Sequence, residues 1–222
     1  MTIPQYKYKR LSPGSTRLLR ILPAHPDKLP GNAPIRCQLF ECPLLSADKT
    51  RPYEALSYVW GPQSSNPQFI TLVENDNDND SDNGEERHCR FPVGESLHAA
   101  LKALRDPFIE RVVWIDAICI NQGDNDEKSE QVGFMARIYA RAGGGVIIWL
   151  GEDDDEGRAG RGLDVIEWFA NTSEEEEGWE TESQFGLRNK DENPVVELLG
   201  GEDRKAVVEL LGRAWFKRIW VS

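Results

Sequence analysis

No apolar run in this sequence approaches the roughly 20 residues that a membrane-spanning helix needs. The opening MTIPQYKYKR carries lysine and arginine where a secretory signal would carry an apolar stretch. With neither signal in view, the expectation is a soluble, cytoplasmic chain. Cysteine is scarce. Cys37, Cys42, Cys89 and Cys119 make no C-x-x-C pair, which argues against a zinc site or a disulfide framework and predicts reduced thiols. Basic clusters are missing as well: the net charge is −12, and nowhere are lysines and arginines grouped to neutralise phosphates, so no nucleic-acid partner is expected. There is no P-loop, no G-x-G-x-x-G and no G-x-S-x-G elbow. Gly143 to Gly145 follow a helical pattern instead of opening one, and read as a terminator, not a phosphate cradle.

What is present fits a globular protein. The 222 residues, 39% of them hydrophobic and 9% aromatic, suffice for one large domain or two small ones. Nearly half of the 38 acidic residues fall in three short blocks, 74–86, 152–156 and 174–182, which read as solvated loops. The first block, ENDNDNDSDNGEE, imitates a calcium loop from Asp78 onward, but Asn83 stands where the turn glycine belongs and Cys89 where the bidentate glutamate belongs. No metal is expected there, only a hairpin tip.

The first thirty-odd residues hold one short apolar run, RLLRILP, and residues 1–35 read as an N-terminal extension to a domain spanning 36–222. IRCQLFECPL alternates as a half-buried strand does, and YEALSYVWG is a second strand closed by Gly61 and Pro62. QFITLVE and HCRFPV flank the acidic tip as a hairpin, and GESLHAALKALRD is an amphipathic helix with Leu97, Leu101 and Leu104 on one side. RVVWIDAICI and VIIWLG are nearly all apolar and predict strands buried on both faces. Between them a helix over 126–142, capped among Asp124 to Asp126, presents a stripe of Val132, Met135, Tyr139 and Ala142, widened by Phe134 and Ile138. Strand, helix and strand in about forty residues predict a crossover with strands 111–120 and 146–150 parallel and adjacent. Helices near GLDVIEWFA and DRKAVVELLG complete an α/β reading with a mainly parallel sheet, flanking helices and an added N-terminal β-hairpin region.

In such sheets ligands collect beyond the carboxyl ends of the strands. Ser57, Trp60 and Gly61 lie at one such end, Asp116 to Gln122 at another, Trp149 and Gly151 at a third. A carboxylate inside an apolar run costs several kcal/mol unless it is paired. Asp116 is therefore expected to face a polar crevice, with Asn121 and Gln122 serving a ligand or the cap of the next helix. The competing reading is that Asp116 anchors a loop and the amides satisfy turn backbone. Cys119, apolar in context, reads as a core thiol, although His25, His88 or His98 could approach it in space. Trp60, Trp114 and Trp149 read either as stacking platforms or as packing.

YEALSYVWG, WIDAICINQ, EKSEQVGFMARIYARA and VIIWLG, in that order, resemble the successive motifs of the fungal HET (heterokaryon-incompatibility) domain, and RAWFKRIWVS resembles its last block. The resemblance runs from about Arg36 to the end of the chain. Lys128 replaces the arginine usual in the family, losing any bidentate contact that arginine makes, and the AGGG link is about one residue longer than the common form.

The resemblance implies a module of fungal non-self recognition and innate immunity that triggers programmed cell death, often joined to sensor domains in a larger protein. HET domains are similar, remotely, to TIR domains, with a flavodoxin-like sheet; TIR domains often self-associate, and some cleave NAD. By that analogy NAD is a substrate and no cofactor is bound. Asp116 is the candidate catalytic or ribose-orienting acid, with Glu54 and Glu127 the other acids in the motifs. Ser57, Trp60, Gly61, Asn121 and Gln122 line the nucleotide side. The block resembling RIWVS normally continues with a glutamine–glutamate pair, so the expected catalytic glutamate falls beyond Ser222 and this chain is expected to be inactive as a NAD glycohydrolase. The alternative is a non-catalytic death-signalling module that works by self-association.

Overall fold

The short run RLLRI, residues 17–21, lies near the middle of a sheet. In the computed structural model of the chain the described residues are 3–24, 34–45, 52–62, 67–75, 86–154, 156–175 and 201–218. They divide into two compact units, Met1–Gly151 and Glu152–Ser222. In the first, β1 (Ser15–Ile21), β2 (Arg36–Pro43), β3 (Glu54–Tyr58), β4 (Gln68–Asn75), β5 (Glu86–Val93), β6 (Arg111–Trp114) and β7 (Val146–Trp149) form one sheet in the order β5-β4-β2-β1-β6-β3-β7. Three helices belong to the same unit: α1 (Glu95–Leu104), the one-turn α2 (Asp116–Cys119) and α3 (Asn125–Ala140).

The α/β class stands, and the pairing is mixed. β6, β3 and β7 run parallel, as do β2 and β4, while β1–β2, β1–β6 and β4–β5 are antiparallel. The N-terminal hairpin is β1–β2. Its first strand lies inside the segment read as an extension, yet Leu18, Leu19 and Ile21 are buried and β1 bonds to β2 on one side and β6 on the other. The β4–β5 hairpin forms as expected, in register from Gln68↔Val93 to Asn75↔Glu86; the acidic tip between them lies outside the described residues.

Two expectations are corrected. The strand expected over 111–120 ends at Trp114, and Asp116–Cys119 turn into a helix. β6 and β7 are parallel but not adjacent, because β3 lies between them, pairing Ala55 with both Trp114 and Val146. β3 carries the fully buried Ala55 and Leu56 and takes the position with a neighbour on each side. That leaves β7 at the edge with Val146 and Ile148 49% and 48% exposed, instead of buried on both faces.

The face of α3 is also shifted from the expected stripe. Ile138 is buried, but Val132 is exposed and Gln131 is buried in its stead. Gln131 Nε2 donates to the carbonyl of Ser15 at 2.8 Å, so α3 turns a polar edge to β1. Asp124 caps α3 as read, accepting from the N–H groups of Asp126 and Glu127, both at 3.1 Å. Tyr53 donates its hydroxyl to the Ile138 carbonyl at 2.6 Å, which places α3 over the face of β3 that carries Tyr53, Ala55 and Ser57. The fully buried Trp114 donates its indole N–H to Thr16 Oγ1 at 3.1 Å.

In the second unit, α4 (Arg158–Glu175) and α5 (Gly201–Leu211) pack together, followed by a 3₁₀ turn, Ala214–Lys217. Gly162 permits the close approach, since a Cβ there would stand 2.9 Å from the Ala206 carbonyl oxygen. Asp153, from the second acidic block, accepts the N–H groups of Ala159 and Gly160 at 2.8 and 3.0 Å and so holds the start of α4. Much of the third acidic block, from residue 176 on, lies outside the described residues.

Candidate functional site

β3 and β6 are parallel neighbours, so their carboxyl ends open on the same side of the sheet. Beyond β3 the chain turns at Gly61, whose φ of 75° is a left-handed conformation that suits glycine. The preceding Trp60 is thereby carried out of the sheet, 47% exposed. Beyond β6, α2 starts at Asp116. The Trp60 indole N–H donates to both carboxylate oxygens of Asp116, at 3.1 and 3.0 Å, and the backbone N–H of Ala117 donates to Oδ1 at 2.7 Å. The half-buried carboxylate is thus hydrogen-bonded across the two strand ends.

Next to this pair is a cavity of about 290 Å³, walled by residues of three segments. Tyr58, Trp60, Gly61, Pro62 and Pro67 come from β3 and its loop, Pro92, Val93, Gly94 and Leu97 from the β5–α1 junction, and Ala117 and Gln122 from α2 and the turn after it. The walls are mostly apolar. Gln122 supplies an exception: its Nε2 donates to the Asp116 carbonyl at 2.9 Å, and its Oε1 is buried with no hydrogen-bond partner among the described residues.

The candidate residues therefore separate. Trp60, Gly61 and Gln122 line the cavity, and Asp116 is held at its margin through Trp60 and Gln122. Ser57 is not brought there; it alternates to the other face of β3 from Tyr58. Asn121 is used locally: its Oδ1 accepts from the Gly123 N–H at 3.2 Å. The β5–α1 junction was not legible as part of a site, because Pro92, Val93 and Gly94 read only as the end of a strand before a helix.

The other two motif acids are committed to arginines. Glu127 takes a bidentate pair from Arg17 at 2.6 and 3.0 Å, together with the Asn121 N–H at 2.7 Å. Arg17 also donates to the carbonyls of Cys119 and Lys9 at 3.1 and 2.6 Å, and lies over the ring of Tyr8 with 4.7 Å to its centroid. Burial alone would lower the pKa of Arg17, but the hydrogen bonds and charge of Glu127 outweigh it and raise it. Glu54 binds Nε and, at 2.8 Å, the terminal nitrogen of Arg111, tying β3 to β6 and raising the arginine's pKa. Cys119 is fully buried, its sulfur accepts the Ile115 N–H at 3.3 Å, and burial pushes its pKa up to about 12, the opposite of an activated nucleophile. His25 lies outside the described residues.

Lys128 follows Glu127 on α3, and Glu127, not position 128, makes the tie to β1. Among the described residues no helix is long and apolar enough to cross a membrane.

Comparison with known proteins places this arrangement. The profile of the family described as heterokaryon incompatibility protein (HET) matches residues 53–222, which include β3, Trp60, Asp116 and Gln122. The chain is similar to heterokaryon incompatibility protein 6, OR allele, of Neurospora crassa, with 31% identity over 236 aligned positions that cover 97% of this chain. It spans 32% of the length of that relative. No solved structure matches the chain significantly. With a family match over most of its length and a relative aligned over nearly all of it, the chain belongs to the heterokaryon incompatibility (HET) family.

Proposed function

We propose that this HET chain serves fungal heterokaryon incompatibility as a cell-death effector domain, and that its cavity beyond β3 and β6 binds NAD, which is hydrolysed there once the glutamate of the family's glutamine–glutamate pair is supplied. The observation that carries the reading is the Asp116 carboxylate, gripped by the Trp60 indole at the margin of a mostly apolar cavity. Breaking the bond between ribose and nicotinamide leaves the bonding pair on the ring nitrogen and develops positive charge on the sugar. Water then adds at the ribose carbon and releases a proton. A carboxylate close to the ribose stabilises that charge, as in glycoside hydrolysis, and the apolar walls limit access of bulk water. Gly94, which lines the cavity, is the N-cap of α1, so the positive end of that helix lies beside it. At about 290 Å³ the cavity suits one ring of a dinucleotide, not the whole molecule.

The test is incubation of NAD with the purified chain and with the chain extended by that glutamine–glutamate pair, following nicotinamide release by chromatography, with saturation-transfer NMR to read binding separately; turnover is expected only in the extended form. In the extended form Asp116→Asn is expected to reduce turnover by roughly a hundredfold while shifting the melting midpoint by no more than about 2–4 °C. Absence of both binding and turnover in the wild type would reject NAD as the ligand. A second reading, action by self-association, is favoured by one observation: β7 pairs only with β3 among the described residues and carries the half-exposed Val146 and Ile148.

A further inference from the structure

Gln122 is one of the few polar side chains that line the cavity. Its amide orientation is fixed, because the Asp116 carbonyl at 2.9 Å requires a donor and so takes the NH₂ group. The Oε1 is thereby turned away from that bond, buried, with no donor among the described residues. An unsatisfied buried acceptor is costly, and native structures seldom keep one without a ligand or ordered water to fill it. The cavity that Gln122 lines is also walled by Tyr58, Trp60, Val93 and Leu97, which suit a flat ring.

Building on the ligand-cavity reading above, we infer that Gln122 Oε1 accepts a hydrogen bond from an amino or carboxamide N–H on the ring held in this cavity, and so selects amide- or amine-bearing rings over their acid or unsubstituted counterparts. The chemistry is donor recognition by a fixed carbonyl oxygen. A site built to bond an N–H rejects the analogue without it more strongly than an apolar wall distinguishes shapes. Within NAD two groups carry such a donor, the nicotinamide carboxamide and the adenine amine, and one cavity of this size takes one of them.

Nicotinamide against nicotinate, and adenosine against purine riboside, separate these two sources. Dissociation constants are measured by saturation-transfer NMR for the wild type, Gln122→Met and Asp116→Asn, with thermal melts beside each. The wild type is expected to prefer the donor-bearing member of one pair by at least about tenfold. Gln122→Met is expected to bring that preference to near unity while Asp116→Asn leaves most of it. The ratio between paired ligands does not depend on how much of the variant is folded. If the wild type binds no member of either pair, the ligand-cavity reading fails and this inference with it. If it binds with a preference that survives in Gln122→Met but disappears in Asp116→Asn, the cavity stands, the carboxylate is the discriminator, and the role assigned to Gln122 is overturned.

Discussion

Arg17 sets the stakes at the scale of single residues. Its side chain is 5% exposed and that of its partner Glu127 is 11% exposed, so each charge relies on the other, Arg17 also on the carbonyls of Cys119 and Lys9 and Glu127 also on the Asn121 N–H. Removing one member leaves the other charge buried and unpaired, and Glu127→Ala is expected to lower unfolding stability by about 3–5 kcal/mol in urea titrations. The double replacement Arg17→Met with Glu127→Leu is expected to cost less than the sum of the single changes; strict additivity would show that the pair does not act as one. The buried thiols give a second expectation. Burial raises Cys119 and Cys37 to about 12, from an ordinary value of 9.0. The folded chain therefore holds both protons while the unfolded chain releases them. Stability is full below about pH 9 and falls as pH rises toward 12, by up to about 1.4 kcal/mol per pH unit for each thiol. Cys119→Ala is expected to flatten that alkaline slope in melts between pH 8 and 10.5. An unchanged slope in Cys119→Ala would remove this thiol as the cause.

At the scale of elements, the local signals were legible and the neighbours were not. The β4–β5 hairpin, α1 and the Asp124 cap follow from alternation, helical spacing and capping chemistry within a few residues. The place of β1 does not, because arginines at 17 and 20 make an interior strand resemble a surface one, and the acid that neutralises Arg17 is 110 residues away. The insertion of β3 between β6 and β7 was likewise invisible, since periodicity reports burial and not which strand is adjacent. The same gap hid half of the site: Asp116, Trp60 and Gln122 were found at strand ends, whereas Pro92, Val93 and Gly94 enter only once α1 is seen to start beside β3. The AGGG link shows how a local reading can be right but incomplete. Gly144 follows α3 as a terminator should, but its N–H donates to the Tyr53 carbonyl at 2.9 Å, and a Cβ there would stand 2.7 Å from Glu54 Cγ and 3.1 Å from the Tyr53 oxygen. Gly144→Ala is therefore expected to push β7 from β3 and destabilise the chain by about 1–3 kcal/mol, read as a lowered urea midpoint with faster amide exchange in β7. An unchanged midpoint would show that the link yields without strain.

At the scale of the whole molecule, the chain spans 32% of the length of its Neurospora relative, so its part in a response is tested on this chain's own residues. Asp116 and Glu127 lie in successive motifs yet differ in what surrounds them. Glu127 is locked into the sheet by Arg17, whereas Asp116 is held at the cavity margin by an exposed indole. A loss of function from Glu127→Ala follows from a loss of fold. Asp116→Asn keeps the shape and one acceptor oxygen for the Trp60 N–H and removes only the charge. It is expected to abolish the incompatibility response on expression in a fungal host while shifting the melting midpoint of the purified chain by no more than about 2–4 °C, the equivalent of about 1 kcal/mol at this size. Trp60→Phe keeps the ring and removes the donor to Asp116, and is expected to weaken the response without the large loss of stability foreseen for Glu127→Ala. Should Asp116→Asn lose stability and response in parallel, the carboxylate serves the fold, as the competing reading of the sequence holds. Should the response persist in a fully folded Asp116→Asn protein, the charge at the cavity margin has no part in the signal.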